Sequence, residues 1–178
     1  RRHRAALPPA QKLSRSTARA APRRPVGFGD PVRYNGPMAI RPETPGDQDG
    51  IRAVHTLAFG RPDEAALVDR LRASAGPLIS LVASDDAGGI VGHILFSPVT
   101  LEPSAPDPPL LLGLAPMGVA PSQQRRGIGS SLVHAGLDAC DRLGAAGVVV
   151  LGHPDYYPRF GFVPASRFGL RCRYDVPD

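Results

Sequence analysis

The chain has 178 residues, 42% of them apolar and nearly a quarter Gly or Pro, which suits one globular domain with a tail and leaves little for a second core. No apolar run approaches the ~18 residues of a membrane span, and Cys140 and Cys172 lie far apart with no C-x-x-C, so an integral membrane protein, a metal cluster and a redox pair are all disfavoured. The net charge of +5 divides unevenly: residues 1–37 carry eight Arg and Lys12 against Asp30 alone, a net of +8, leaving −3 for residues 38–178.

In chain order, residues 1–37 are rich in Arg, Ala and Pro and show no apolar period of 2 or 3.6, so disorder is expected there. Such a tail reads either as a nucleic-acid arm or transit segment, or as upstream, non-native sequence. The second reading is favoured, because only Phe28 and Tyr34 accompany the charge and Met38 directly precedes the first ordered pattern. From Met38 onward the pattern is that of short strands and amphipathic helices. Ala39 to Arg41 reads as a strand, and Thr44-Pro45-Gly46-Asp47 as the start of a helix reaching about Leu57. Asp63 opens a second helix with Leu67, Val68 and Leu71 on one face, closed by Gly76-Pro77.

Leu78 to Ser84 and Ile90 to Leu101, joined through Asp85-Asp86-Ala87-Gly88-Gly89, read as a hairpin. A Pro-rich connection, Pro103 to Pro109, leads to the apolar strand Leu110 to Val119. Pro116 cannot donate to a ladder, so that strand is expected to bulge or to lie open on one side there. Gly127 to Leu143 has the clearest helical period, with Ile128, Leu132, Val133, Leu137 and Cys140 on one half of the wheel. Gly147 to Leu151 follows as a buried strand, so strand, Gly-rich turn, helix and strand compose a βαβ unit whose strands are parallel.

The segment Gln124-Arg125-Arg126-Gly127-Ile128-Gly129 sits between that strand and that helix. A helix start offers four backbone N–H groups without internal partners and the positive end of the macrodipole, which suits a phosphate. Gly127 and Gly129 let the backbone turn tightly and approach phosphate oxygens. A nucleotide P-loop is excluded because Ser130-Ser131 follows with no Lys after Lys12. A dinucleotide fingerprint fits poorly, since Leu132 occupies the third small position and no acid closes the next strand.

Val119-Ala120-Pro121, followed by Gln124 to Gly129 and Leu132, resembles motif A of the GNAT N-acetyltransferase superfamily. Tyr157-Pro158-Arg159-Phe160-Gly161-Phe162 resembles the family's Y-x-x-x-G-F, and Leu151 to Tyr157 resembles a bacterial subgroup of predicted acetyltransferases. The likeness spans about Met38 to Val163. It implies an α/β fold, a mixed and mostly antiparallel sheet with helices on both faces, splayed at a bulged central strand. It implies acetyl transfer from acetyl-coenzyme A (acetyl-CoA) to a small-molecule or peptide amine in a ternary complex.

Carried over residue by residue, the resemblance places the coenzyme pyrophosphate on amides of Gln124, Arg125, Arg126, Gly127, Ile128, Gly129 and Ser130. Met117, Gly118 and Val119 would line the pantetheine arm, with the Val119 amide on the thioester oxygen. Tyr157 matches the acid that protonates the departing thiolate, and neighbouring Tyr156 is the alternative that could face the cofactor instead.

A base is missing from the central strand. His153, just past a strand end and beside the acid candidate, has a suitable place, with a turn or capping role as the equal alternative. His93 reads as a satisfied sheet histidine, His55 and His134 as structural or exposed, and Glu102 as a solvated loop acid. Cys140 lies on the buried half of its helix, which argues against an acyl-cysteine.

The acceptor site is expected on the loops Ala58 to Pro62 and Ser104 to Pro109. After Gly161-Phe162 there is room for one strand, perhaps Phe168 to Tyr174, which suggests a domain 38–178 truncated at its C-terminus. A cytoplasmic protein is expected, with no membrane association. Homodimerisation is left open. A non-catalytic acyl-CoA binding module and a nucleic-acid binder acting through the tail are the competing readings.

Overall fold

The computed structural model describes residues 16–20, 38–74, 76, 78–102 and 106–172. Among the described residues seven strands form one sheet: β1 (Ser16–Ala20), β2 (Ala39–Pro42), β3 (Ile79–Ser84), β4 (Ile90–Val99), β5 (Leu111–Val119), β6 (Gly147–Leu151) and β7 (Val163–Pro164). Their order across the sheet is β2-β3-β4-β5-β6-β1-β7. All neighbours are antiparallel except β5 and β6, which run parallel as the βαβ reading requires. Three described helices pack on this sheet: α1 (Gln48–Phe59), α2 (Asp63–Arg72) and α3 (Ile128–Leu143).

The alternation of strand side chains assigns the helices to opposite faces. On β3 and β4, Val82 and Leu95 pack with Ile51 of α1 and Val68 of α2. Ala83, Ile94 and Phe96 point the other way and join Leu132, Val133 and Cys140 of α3 in the larger core. Helix α1 stops at Gly60, which adopts φ 70, and α3 stops at Gly144, with φ 80, as a C-terminal glycine allows. Before α1, the Asp47 carboxylate takes both Arg41 nitrogens, at 2.6 and 2.8 Å, and the Thr44 N–H at 2.7 Å, fixing the chain's exit from β2.

The central strand splays where Pro116 interrupts it. The β4/β5 register shifts between Ile94 and Phe96, opposite the cis Ala115–Pro116 peptide. On its other side β5 pairs with β6 only from Leu111↔Gly147 to Leu114↔Val150, so Ala115 to Val119 has no β6 partner.

Two expectations are corrected. Ser16–Ala20, inside the segment expected to be disordered, is a strand paired with both β6 and β7; the rest of that segment lies outside the described residues. The reason is that a sheet edge recruits backbone N–H and C=O groups, which every sequence supplies, whereas the sequence reading looked for an apolar period. The strand expected at Phe168 to Tyr174 is also replaced, over Ala165–Phe168, by a 3-10 turn closed by Gly169 at φ 68; residues 173–178 lie outside the described residues.

Candidate active site

The splay opens a cleft of about 1480 Å³, larger than the ~300–1,000 Å³ of an ordinary small-ligand pocket, so a coenzyme and a second substrate could share it. Every site residue expected from sequence lines this cleft except Arg126, which is exposed and donates to Gln123 Oε1 at 3.0 Å. Contributions come from β5, the loop after it, the start of α3, the end of β6 and the turn at Tyr157–Phe160.

On β5 the backbone does the presenting. The Ala120 N–H donates to Val91 O at 2.9 Å, and the register pairs Gly92 with Val119 and His93 with Gly118. Antiparallel alternation then turns the N–H groups of Met117 and Val119 away from β4, toward the side where β6 has departed. The Val119 carbonyl is taken by Gln124 Nε2 at 3.0 Å, which ties the loop to the strand end.

The loop that follows bends through two left-handed residues, Arg125 at φ 61 and Gly127 at φ 82. A side chain at 127 would meet no neighbour within 4 Å, so glycine serves conformation there, not space. For Arg125 the same conformation is uncommon in a residue with a Cβ, and the turn holds it there. The first helical bond of α3 runs from the Ser131 N–H to Gly127 O at 2.9 Å, so the amides of Ile128, Gly129 and Ser130 precede any intrahelical partner and face the cleft.

Gly129 has a different reason to be glycine. A Cβ there would lie 2.9 Å from the Tyr156 hydroxyl and 3.8 Å from both Met117 Cε and Val119 Cγ2. Sequence reasoning gave that space to phosphate alone; the structure gives part of it to a phenol. Arg159 stacks 3.8 Å above the Tyr156 ring and its Nε donates to the Tyr156 carbonyl at 3.0 Å.

Tyr157 lies deeper, 7% exposed, against Phe162 and over Gly152, where any Cβ would strike its ring. Burial, with the neighbouring Tyr156, pushes its hydroxyl well above the ordinary phenol range. His153 is exposed on the rim, and its carbonyl accepts the Tyr156 N–H at 3.0 Å. Cys140 is buried and its thiol is pushed up to about 12, first by burial and then by Asp141, so it is no nucleophile.

Residues 77–164 match the model of the acetyltransferase (GNAT) domain. The chain is 39% identical over 137 residues to the protein named uncharacterized N-acetyltransferase YhbS of Escherichia coli K12, covering 77% of this chain and 80% of that one. The chain belongs to the GNAT acetyltransferase family.

A second relative in the family, YjhQ of the same organism, is 42% identical over 135 residues, 74% of either chain. Among solved GNAT structures, that of YhbS in complex with CoA superposes with a TM-score of 0.72 at 37% identity, covering 84% of this chain and 79% of that one. A GNAT acetyltransferase from Brucella melitensis in complex with acetyl-CoA gives 0.66 at 39% identity, covering 79% and 90%. The mixed, mostly antiparallel sheet expected from the resemblance is the GNAT sheet. No described helix is long and apolar enough to cross a membrane.

One group in this region escaped sequence reasoning. On the α1 face of β5, a Cβ at Gly118 would lie 3.0 Å from His55 Nδ1. His55 is wholly buried and bonded through Nε2 to His93 Nδ1 at 2.7 Å. The spacing Ile51, Val54, His55 puts this histidine on the apolar stripe of α1, and a helical wheel would have flagged a titratable group there.

Proposed function

We propose that this protein binds acetyl-CoA in the cleft between β5 and β6 and transfers the acetyl group directly to an amine within a ternary complex. The observation that carries the proposal is the alignment of two sets of backbone donors on one cleft. The amides at the start of α3 suit the coenzyme pyrophosphate, and the outward N–H of Val119 suits the thioester oxygen. Met117 and Gly118 would flank the pantetheine arm between them. The two relatives whose structures hold CoA or acetyl-CoA support the same choice of donor.

As the amine nitrogen attacks the carbonyl carbon, negative charge gathers on the oxygen, and a donor fixed in the strand needs no reorganisation to meet it. The departing thiolate has a conjugate acid near ~8.5, so a phenol that stays protonated at neutral pH can stabilise or protonate it. Tyr157, with its raised pKa, keeps its proton throughout that range. Tyr156 is a second candidate because its hydroxyl lies beside Gly129, Met117 and Val119. His153 sits at the rim, within reach of the bulk solvent.

The acceptor would enter between the end of α1 and the segment after β4, where Ala58, Phe59, Leu101 and Glu102 line the cleft. The test is thiol release from acetyl-CoA by the full chain over a panel of small-molecule and peptide amines. Amine-dependent release is expected; coenzyme binding without release by any amine would leave a non-catalytic binding module.

A further inference from the structure

Four polar side chains cross the α1 face of the sheet in a row, and the row ends at Gly118. Glu43, just after β2, is engaged by Arg72 of α2 at 2.6 Å. Ser80 on β3 donates its hydroxyl proton to Glu43 Oε2, and its oxygen lies 2.8 Å from His93 Nε2 on β4. His93 Nε2 is 3.8 Å from the Glu43 carboxylate, beyond hydrogen-bonding reach, so Ser80 is the bridge. His93 Nδ1 then meets His55 Nε2 at 2.7 Å, and His55 Nδ1 is buried without a hydrogen-bond partner.

The proton positions follow from counting donors. Burial, first, holds both imidazoles neutral at pH 7, His55 down at about 3 and His93 below its ordinary value, so each ring has one N–H. Because Ser80 spends its proton on Glu43, its oxygen accepts from His93 Nε2–H. His93 Nδ1 is therefore the acceptor, His55 Nε2 carries the shared proton, and His55 Nδ1 is left as a bare lone pair. A bare buried nitrogen costs free energy unless something uses it. It lies over Gly118, which sits between Met117 and Val119 on β5 and has no side chain.

We propose that His55, His93, Ser80 and Glu43 form a proton relay, with His55 Nδ1 accepting the proton that the amine releases during acetyl transfer. The relay rests on the acetyltransferase reading of the cleft. As the C–N bond forms and the C–S bond breaks, the ammonium proton passes to His55 Nδ1. The His55 Nε2 proton moves to His93 Nδ1, the His93 Nε2 proton to Ser80 Oγ, and the Ser80 proton to Glu43 Oε2. One proton has then crossed from the amine to Glu43, while the thiolate takes its own from the tyrosine, whose proton solvent restores before the next turnover. Glu43 and Arg72 are partly exposed; burial pushes the Glu43 carboxyl up, but the Ser80 hydrogen bond and the Arg72 charge outweigh it and hold Glu43 below its ordinary pKa, so it passes the proton on to solvent instead of storing it. His55, His93 and Ser80 together connect Gly118, which lines the cleft, to that exit.

Two measurements test this. Ring ¹⁵N NMR of the wild-type full chain at neutral pH should show His55 and His93 as Nε2-protonated tautomers; a protonated His55 Nδ1 overturns the relay outright. The second compares ethylamine with trifluoroethylamine, acceptors of nearly equal shape whose conjugate acids differ greatly in acidity. Replacing His93 by Gln keeps hydrogen bonds but cannot pass a proton. His93→Gln should lower kcat with ethylamine by ~100-fold and leave the KM for acetyl-CoA within about twofold, and the deficit should shrink to a few-fold with trifluoroethylamine, whose ammonium sheds its proton unaided. Equal losses with both amines in a variant that melts like wild type would make the row structural and overturn the relay alone. Wild-type protein that binds acetyl-CoA yet releases thiol with no amine of the panel would remove the acetyltransferase reading and the relay together.

Discussion

Strand β5 offers different chemistry to the two faces of the sheet. Toward α3 it presents Met117 and Val119 beside a helix start, and the donors are backbone amides held by one contiguous segment, Val119 to Ser130. Toward α1, beside the splay, it presents the bare Cα of Gly118, and the chemistry there comes from side chains at positions 43, 55, 80 and 93. A grip made of backbone needs a local sequence, because turn, strand end and helix start must adjoin. A relay made of side chains needs only that folding bring four distant positions into a line.

That contrast can be broken or sharpened by substitution. The largest effect is expected from Tyr157→Phe, which should cut kcat about 100-fold while leaving CoA affinity intact; steady-state kinetics with calorimetry would show it. If Tyr156→Phe gives the larger loss of kcat instead, the proton donor is the phenol over Gly129. Gly127→Val, which forces a β-branched residue into φ 82, should weaken CoA binding by ~10-fold or more through the backbone alone. Gly118→Ala should do the reverse. Its Cβ would press on His55 Nδ1 at 3.0 Å and Cε1 at 3.3 Å, so kcat should drop several-fold, with a smaller loss of CoA affinity than in Gly127→Val. Equal loss of coenzyme binding in both glycine variants would erase the distinction between the faces.

The smallest effect concerns stability. Unfolded histidine takes up a proton below pH ~6.5, whereas folded His55 resists until about 3 and folded His93 is lowered too. The unfolded state thus binds more protons as pH falls, and the stabilisation present above pH ~6.5 is lost progressively below it. Urea midpoints measured between pH 7 and 5, above the carboxylate range, should decline in the wild type. A flat profile would mean that the buried pair is not neutral.

What sequence made legible follows the same division. The Gly-rich turn, helix α3, the parallel β5/β6 pair and the break at Pro116 were all readable, because each depends on neighbours in the chain. His55 was read as structural or exposed, and nothing in the spacing of residues 43, 55, 80 and 93 announces that they meet. Strand β1 escaped for another reason: its place is set by the backbone of β6 and β7, and no apolar pattern marks it. For the glycine at 129 the local motif supplies only part of the reason, since Tyr156 reaches it from a turn some 27 positions away, a distance no local motif encodes.

The account depends most on the α3 start and the open edge of β5 acting as one coenzyme site. Isothermal titration of CoA into the full-length chain, in parallel with Gly127→Val, examines this directly. The wild type should take up one CoA per chain and the variant should bind it at least several-fold more weakly. Absence of heat with folded wild-type protein, or undiminished binding by the variant, would contradict it.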